Sequence, residues 1–230
     1  MHRRPLPLLL FVFLLIGSRS LFADEKSGET SPREYGKPKQ LGILTDEAID
    51  ESSGIAASRS VPGAYWTHND SGDSPRIFLI SKTGKTLATF QVDGAQAEDW
   101  EDICSFVHDS KNYLLIGDVG DNQRRRNEVK LYLVEEPTLE KNAEGVKGSV
   151  PVAMTLRVKY EDGPRDCESI AVDPASMKIY LVAKQFSTKC PIYEIPLPEK
   201  SPPDPVVAKA CGTLPVSIAT AMDISLTDVE

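Results

Sequence analysis

The stretch AEDWEDICSF, residues 97–106, sets Glu98, Asp99, Glu101 and Asp102 around Trp100 and then runs straight into Ile103, Cys104 and Phe106. A solvated acidic loop would account for the charge, but not for a tryptophan in its middle or the apolar residues behind it. The pattern recurs. ESSGI (51–55), DWEDI (99–103), DCESI (166–170) and TAMDI (220–224) align without a gap on Ile55, Ile103, Ile170 and Ile224, at spacings of 48, 67 and 54 residues. After each of the first three comes a second apolar run (AYWTHND, NYLLIGD, KIYLVAK), then a third (RIFLIS, KLYLVEEP, PIYEIPL) and a fourth (TLATFQV, MTLRVKY, VVAKACG). Four short antiparallel strands per unit, repeated in tandem, are the pattern of a β-propeller blade. The extra length of the second unit is assigned to QRRRNE and TLEKNAEGVKGSV. The expected fold is therefore all-β, with blades at about 51–95, 99–160 and 166–214 and a fourth beginning at 220.

Outside the repeats the chain reads differently. MHRRPLPLLLFVFLLIGSRSLFA (1–23) has a basic start, an apolar run from Leu6 to Ile16 too short for a membrane span, and small or polar residues before Ala23. It reads as a secretory signal peptide, cut near Ala23 or near Ser20, which implies a secreted or periplasmic protein without a stable membrane anchor. Residues 24–40 read as a polar, disordered tether, and 41–230 as the folded region. With 40% hydrophobic and 26% charged residues the chain has ordinary globular usage. Losing Arg3, Arg4 and Arg19 with the signal takes its net charge from −8 to −11, which argues against nucleic acid or anionic membrane as a partner. A protein, glycan or small-molecule ligand remains.

In a propeller the first strand of each blade lines the central channel. Glu51, Asp99 and Asp166, each four residues before an aligned isoleucine, are then expected at one mouth of that channel. Ser53, Glu101 and Glu168 follow two residues further in, on the same face. Carboxylates so gathered repel one another unless a cation sits among them. Oxygen ligands without thiols favour a hard ion, and Ca²⁺ is the expected one outside the cytoplasm. The alternatives are acids that only accept loop N–H groups or pair with Arg165 or Arg76, and a catalytic metal site. A second tier of oxygen ligands, Asp70, Asp118, Asp121 and Asn122, lies in THNDSGD (67–73) and GDVGDNQ (117–123), where turn chemistry alone also explains Asp, Asn and Gly. His68, beside Asp70, and Asp99 are the candidates for proton transfer. Arg124, Arg125 and Arg126 read as a solvated loop, and Trp66 and Trp100 as blade packing.

Four cysteines fit an oxidising compartment, and no C-x₂-C pair suggests zinc. If PLPEKSPPDP (196–205) joins strands three and four of the third unit, Ile195 pairs with Val206 and Cys190 falls opposite Cys211. Such a bridge would stabilise by roughly 3 kcal/mol in the chain-entropy picture. Cys104 and Cys167 are expected as buried thiols.

ESSGI, WTHNDSG, DWEDI, YLLIGDVGDN, LYLVEEP and DCESIAVDP resemble a family of secreted bacterial β-propellers, distantly similar to esterase-like or phytase-like propellers and to the gluconolactonase and paraoxonase type. The resemblance covers about residues 48–225 and implies a six-bladed fold with acids near the axis, without a defined substrate. The paired-aspartate motifs of true phytase propellers are not found. The chain is expected to form an incomplete arc of about three blades, with KQLGIL (39–44) as the outer strand of a last blade and self-association through open sheet edges. Three functions stay open: a binding or scaffold protein with an axial Ca²⁺, a Ca²⁺-dependent hydrolase of a phosphoester, ester or lactone, and a truncated remnant.

Overall fold

The computed structural model describes residues 36–140 and 144–224. The segment expected as a signal peptide and most of the one expected as a tether lie outside the described residues. Twelve strands and no helix make the described fold all-β. They form three successive four-stranded antiparallel meanders: β1 Ser52–Ala57, β2 Ala64–Asn69, β3 Arg76–Ser81 and β4 Thr86–Asp93; β5 Trp100–His108, β6 Lys111–Asp118, β7 Val129–Glu135 and β8 Val146–Tyr160; β9 Cys167–Asp173, β10 Lys178–Ala183, β11 Cys190–Pro196 and β12 Val206–Leu214. β-Branched and aromatic residues dominate these runs, as strands that bury both faces require. β9 is buried along its whole length.

Apolar layers separate the meanders. Trp66, Ile77, Leu79 and Phe90 of the first pack against Trp100, Ile116 and Tyr132 of the second. Leu131, Leu156 and Val158 of the second pack against Ile170, Leu181 and Tyr193 of the third. Each such side chain contributes about 1.5–3 kcal/mol by leaving water.

The outer strands are also joined. β8 is fifteen residues long because GVKGSV, expected in a loop, is strand: Val146–Pro151 runs parallel to Ala88–Asp93 of β4. Its other end, Val158–Tyr160, pairs in parallel with Val206–Ala208 of β12. One strand thus knits all three meanders into a single mixed sheet, and that sheet does not close.

The two end faces are partly covered by the chain itself. Ile49 lies over Phe78 and Ile80 of the first meander, while Val216, Ala219, Met222 and Ile224 lie on the outer face of the third. Neither flank is the expected strand: KQLGIL and TAMDI are both irregular, and the fourth unit is described only as far as Ile224. Ile43 instead crosses the β3–β4 turn so closely that a Cβ on Gly84, at φ +90°, would sit 2.1 Å from its carbonyl oxygen. Ile55, on β1, remains 48% exposed.

The third meander corrects the disulfide. Glu194 pairs with Lys209, a register two residues off the expected one, and a bulge between Ile192 and Tyr193 then puts Cys190 opposite Leu214. Cys211 falls within the bulge, and its thiol approaches the Ile192 carbonyl at 3.6 Å. All four cysteines are free, with Cys104, Cys167 and Cys190 buried and Cys211 exposed. Burial raises the Cys104 thiol and pushes Cys167 up to about 12. Titration with a chromogenic disulfide reagent is therefore expected to find one fast thiol in the native protein and four after denaturation; a native chain that yields none would restore the bridge.

Candidate metal centre

The acid-bearing ends of the three first strands share one irregularity. β5 pairs Trp100 with Asp118 and then Asp102 with Gly117, so Glu101 is an extra, unpaired residue. β9 does the same at Glu168, between Cys167 and Ser169, and β1 breaks register between Ser52 and Ile55. A β-bulge bends its strand and re-aims a side chain. Here it directs Glu101 and Glu168 out of the ladders and into common space.

Two overlapping groups result. Asp70, Asp99 and Glu101 each offer an oxygen within 4.8 Å of the others, and so do Glu101, Asp166 and Glu168. That spread suits oxygens about 2.4 Å from a shared ion, so the buried acids could hold a metal ion. Glu101 belongs to both groups. It is 5% exposed, and among the described residues its carboxylate has neither a hydrogen-bond donor nor an ion-pair partner. Gly120 makes the crowding feasible, since a Cβ there would lie 2.3 Å from Glu101 Oε1 and 2.5 Å from Asp99 Oδ2. Burial, then the charges of Asp70 and Asp99, push Glu101 up to about 8 against the pull of Lys184. Asp99 is raised for the same first reason, with Asp70 adding and Arg126 opposing.

Other expected site residues are placed elsewhere. Glu51 is exposed and joins neither group. Asp118 is fully buried, accepts the Asp99 N–H at 3.1 Å and pairs with Arg126 at 2.9 Å. Asp121 accepts the Arg126 N–H at 2.6 Å, and its own N–H donates to Asp166 Oδ1 at 3.1 Å. These two buttress the site rather than enter it. Asn122 is exposed. His68 is a core residue: its Nδ1 lies 2.8 Å from the Asn69 carbonyl, its ring sits edge-on to Trp100 at 5.5 Å, and burial lowers its pKa. A fully buried imidazole cannot serve substrate as a general base. Arg76 pairs with Asp73, and Arg165 with Asp162 and Tyr193, so neither neutralises the cluster.

Three residues were missed. Lys184 is the cation of the cluster, against Glu168 Oε1 and 3.5 Å from Asp166 Oδ2. The signal was present, because Lys184 ends the second run of the third unit as Asp70 ends that of the first. Arg126, read as solvated, has a side chain only 12% exposed, bridging Asp118, Glu98 and the Gly120 carbonyl. Asp102, quoted but unassigned, accepts the N–H groups of Ile103 at 2.9 Å and Ile170 at 2.8 Å. Removing it as Asp102→Ala orphans these donors and is expected to cost about 2–5 kcal/mol in urea unfolding. A loss under about 0.5 kcal/mol would show that water replaces it.

No protein-family model matches the chain, and no curated protein does.

A raised carboxyl keeps its proton longer in the folded state. The unfolded chain ionises Glu101 near its ordinary value and the folded chain only near pH 8, so metal-free stability falls as pH rises between them. Melting temperatures in chelator are expected to drop from pH 5 to pH 8, and less steeply in Glu101→Gln. Equal slopes for the two proteins would remove Glu101 as the cause.

Proposed function

We propose that this chain is a secreted binding or scaffold protein built from β-propeller blades, whose first two meanders are joined at their acid-bearing ends by a bound Ca²⁺. The observation that carries the cation reading is Glu101: a side chain largely withdrawn from solvent and shared by two acidic groups, whose carboxylate takes no hydrogen bond and no ion pair among the described residues. Without a cation Glu101 holds its proton up to about pH 8, and a hard divalent ion is the partner that oxygen donors at this spacing favour once it is ionised. The propeller reading is supported by the three consecutive meanders and by the bulge repeated at equivalent places in their first strands. It agrees with the resemblance carried by DWEDI and GDVGDN, which also supports secretion.

An ion at this place joins the first meander, through Asp70, to the second, through Asp99 and Glu101. Its effect is to fix the mouth of the inner strands, where a protein, glycan or small-molecule ligand would meet the surface. Hydrolysis is the lesser reading, because the one histidine near the acids is enclosed in the core.

Calorimetric titration of the mature chain with CaCl₂, with melting followed in parallel, tests this. Saturation at a hundredfold excess over Kd is expected to stabilise by about 2.7 kcal/mol. Glu101→Gln should weaken binding by about tenfold or more while the chelated protein still melts cooperatively. A native chain that folds cooperatively and takes up no Ca²⁺ would sink the cation reading.

A further inference from the structure

The two acidic groups are not equivalent. Glu168 and Asp166 already face an ammonium, since Lys184 Nζ lies against Glu168 Oε1 and 3.5 Å from Asp166 Oδ2. Asp70 and Asp99 have no comparable ion pair among the described residues. Between them stands Glu101, nine-tenths buried and unpartnered, with its Oε1 wedged against Gly120 beside Asp99. The repeat explains the difference. Asp70 donates its N–H to the Glu51 carbonyl at 2.9 Å, and Lys184 donates its own to the Asp166 carbonyl at 2.8 Å. They are the same position in the first and third meanders, filled once by a carboxylate and once by a cation.

We propose that Lys184 stands in for a second metal ion: the cluster takes one divalent cation, on Asp70, Asp99 and Glu101, and the lysine ammonium excludes another from Glu101, Asp166 and Glu168. The proposal rests on the cation reading above and sets its stoichiometry and its side. A tethered ammonium at contact distance from Glu168 occupies the volume an ion would need, and its charge repels one. It also lessens the repulsion among five carboxylates that the ion alone would have to balance. Replacing it with an uncharged side chain of similar reach leaves three buried oxygen ligands with no cation, which is the condition Glu101 meets on the other side.

The test is Ca²⁺ binding to the full mature chain by calorimetry and native mass spectrometry, for the native protein, Lys184→Met, Lys184→Arg and Glu168→Gln. One ion on the native chain and on Lys184→Arg, and two on Lys184→Met, is the expected result. Glu168→Gln should keep one ion with Kd within about threefold of native. One ion on Lys184→Met, or two on the native chain, would overturn the proposal while leaving the cation reading intact. No ion on a folded native chain removes the cation reading and this inference together. If Lys184→Met does not fold, Glu168→Gln decides alone, because a loss of about tenfold or more there places the ion on the side assigned to Lys184.

Discussion

The arrangement depends on Asp102. First strands of adjacent meanders do not pair with one another; each has a ladder on one side and presents backbone groups on the other. Such groups are costly when buried and unpaired. Asp102 answers for two of them at once, in β5 itself and in β9. Smaller contacts do the same between β1 and β5: Ser53 Oγ donates to the Glu101 carbonyl at 2.7 Å and Ser105 Oγ to the Ala57 carbonyl at 2.8 Å. Side chains therefore set the spacing of the inner strands. Because Glu101 precedes Asp102 and Glu168 lies two residues before Ile170, the stitch that spaces the strands also spaces the acids.

That coupling makes the charge balance local. Arg126 neutralises Asp118 from behind and reaches Glu98, so the GDVGDN turn carries its own counter-charge, although Asp118 Oδ2 and Arg126 Nε are buried without a hydrogen-bond partner. Lys184 neutralises the face toward β9. What remains uncompensated is the face toward the first meander, where Gly120 admits two carboxylates to the same spot. A burial penalty alone would have favoured apolar residues here. Asp118, Asp166 and Glu168 each have a cationic partner, whereas Asp70, Asp99 and Glu101 have none among the described residues.

Much of this was legible. The recurring isoleucines and the four apolar runs per unit locate the strands, since period and spacing depend only on local chemistry. Asp99, Glu101, Asp166 and Glu168 follow from the same alignment. The bulges do not, because neither Glu101 nor Glu168 carries a glycine or other backbone signal; only the pairing of whole strands exposes the extra residue. The Cys190–Cys211 bridge failed for the same reason, since a register counted from a loop accumulates every bulge along the way. Arg126 was misread because composition cannot show that a loop folds back over its own meander. GVKGSV was assigned to a loop because its pairing is with β4, more than fifty residues away in sequence, rather than with a neighbour.

The first unit explains why the site is lopsided. ESSGI carries Ser53 and Gly54 where DWEDI carries Glu101 and Asp102. Gly54 is required: a Cβ there would lie 2.7 Å from both His68 Nε2 and the Ile103 nitrogen, so β1 approaches β5 only because the position is bare. His68 lies behind it, and the position of Glu101 is held here by Ser53, whose Oγ donates to the Glu101 carbonyl at 2.7 Å instead of offering a carboxylate. The first meander contributes its oxygen from the turn instead, through Asp70, whereas the third spends that same turn position on a cation. A serine at the strand position in the first repeat and a lysine at the turn position in the third together leave the acidic cluster lopsided, uncompensated toward the first meander and neutralised toward the third.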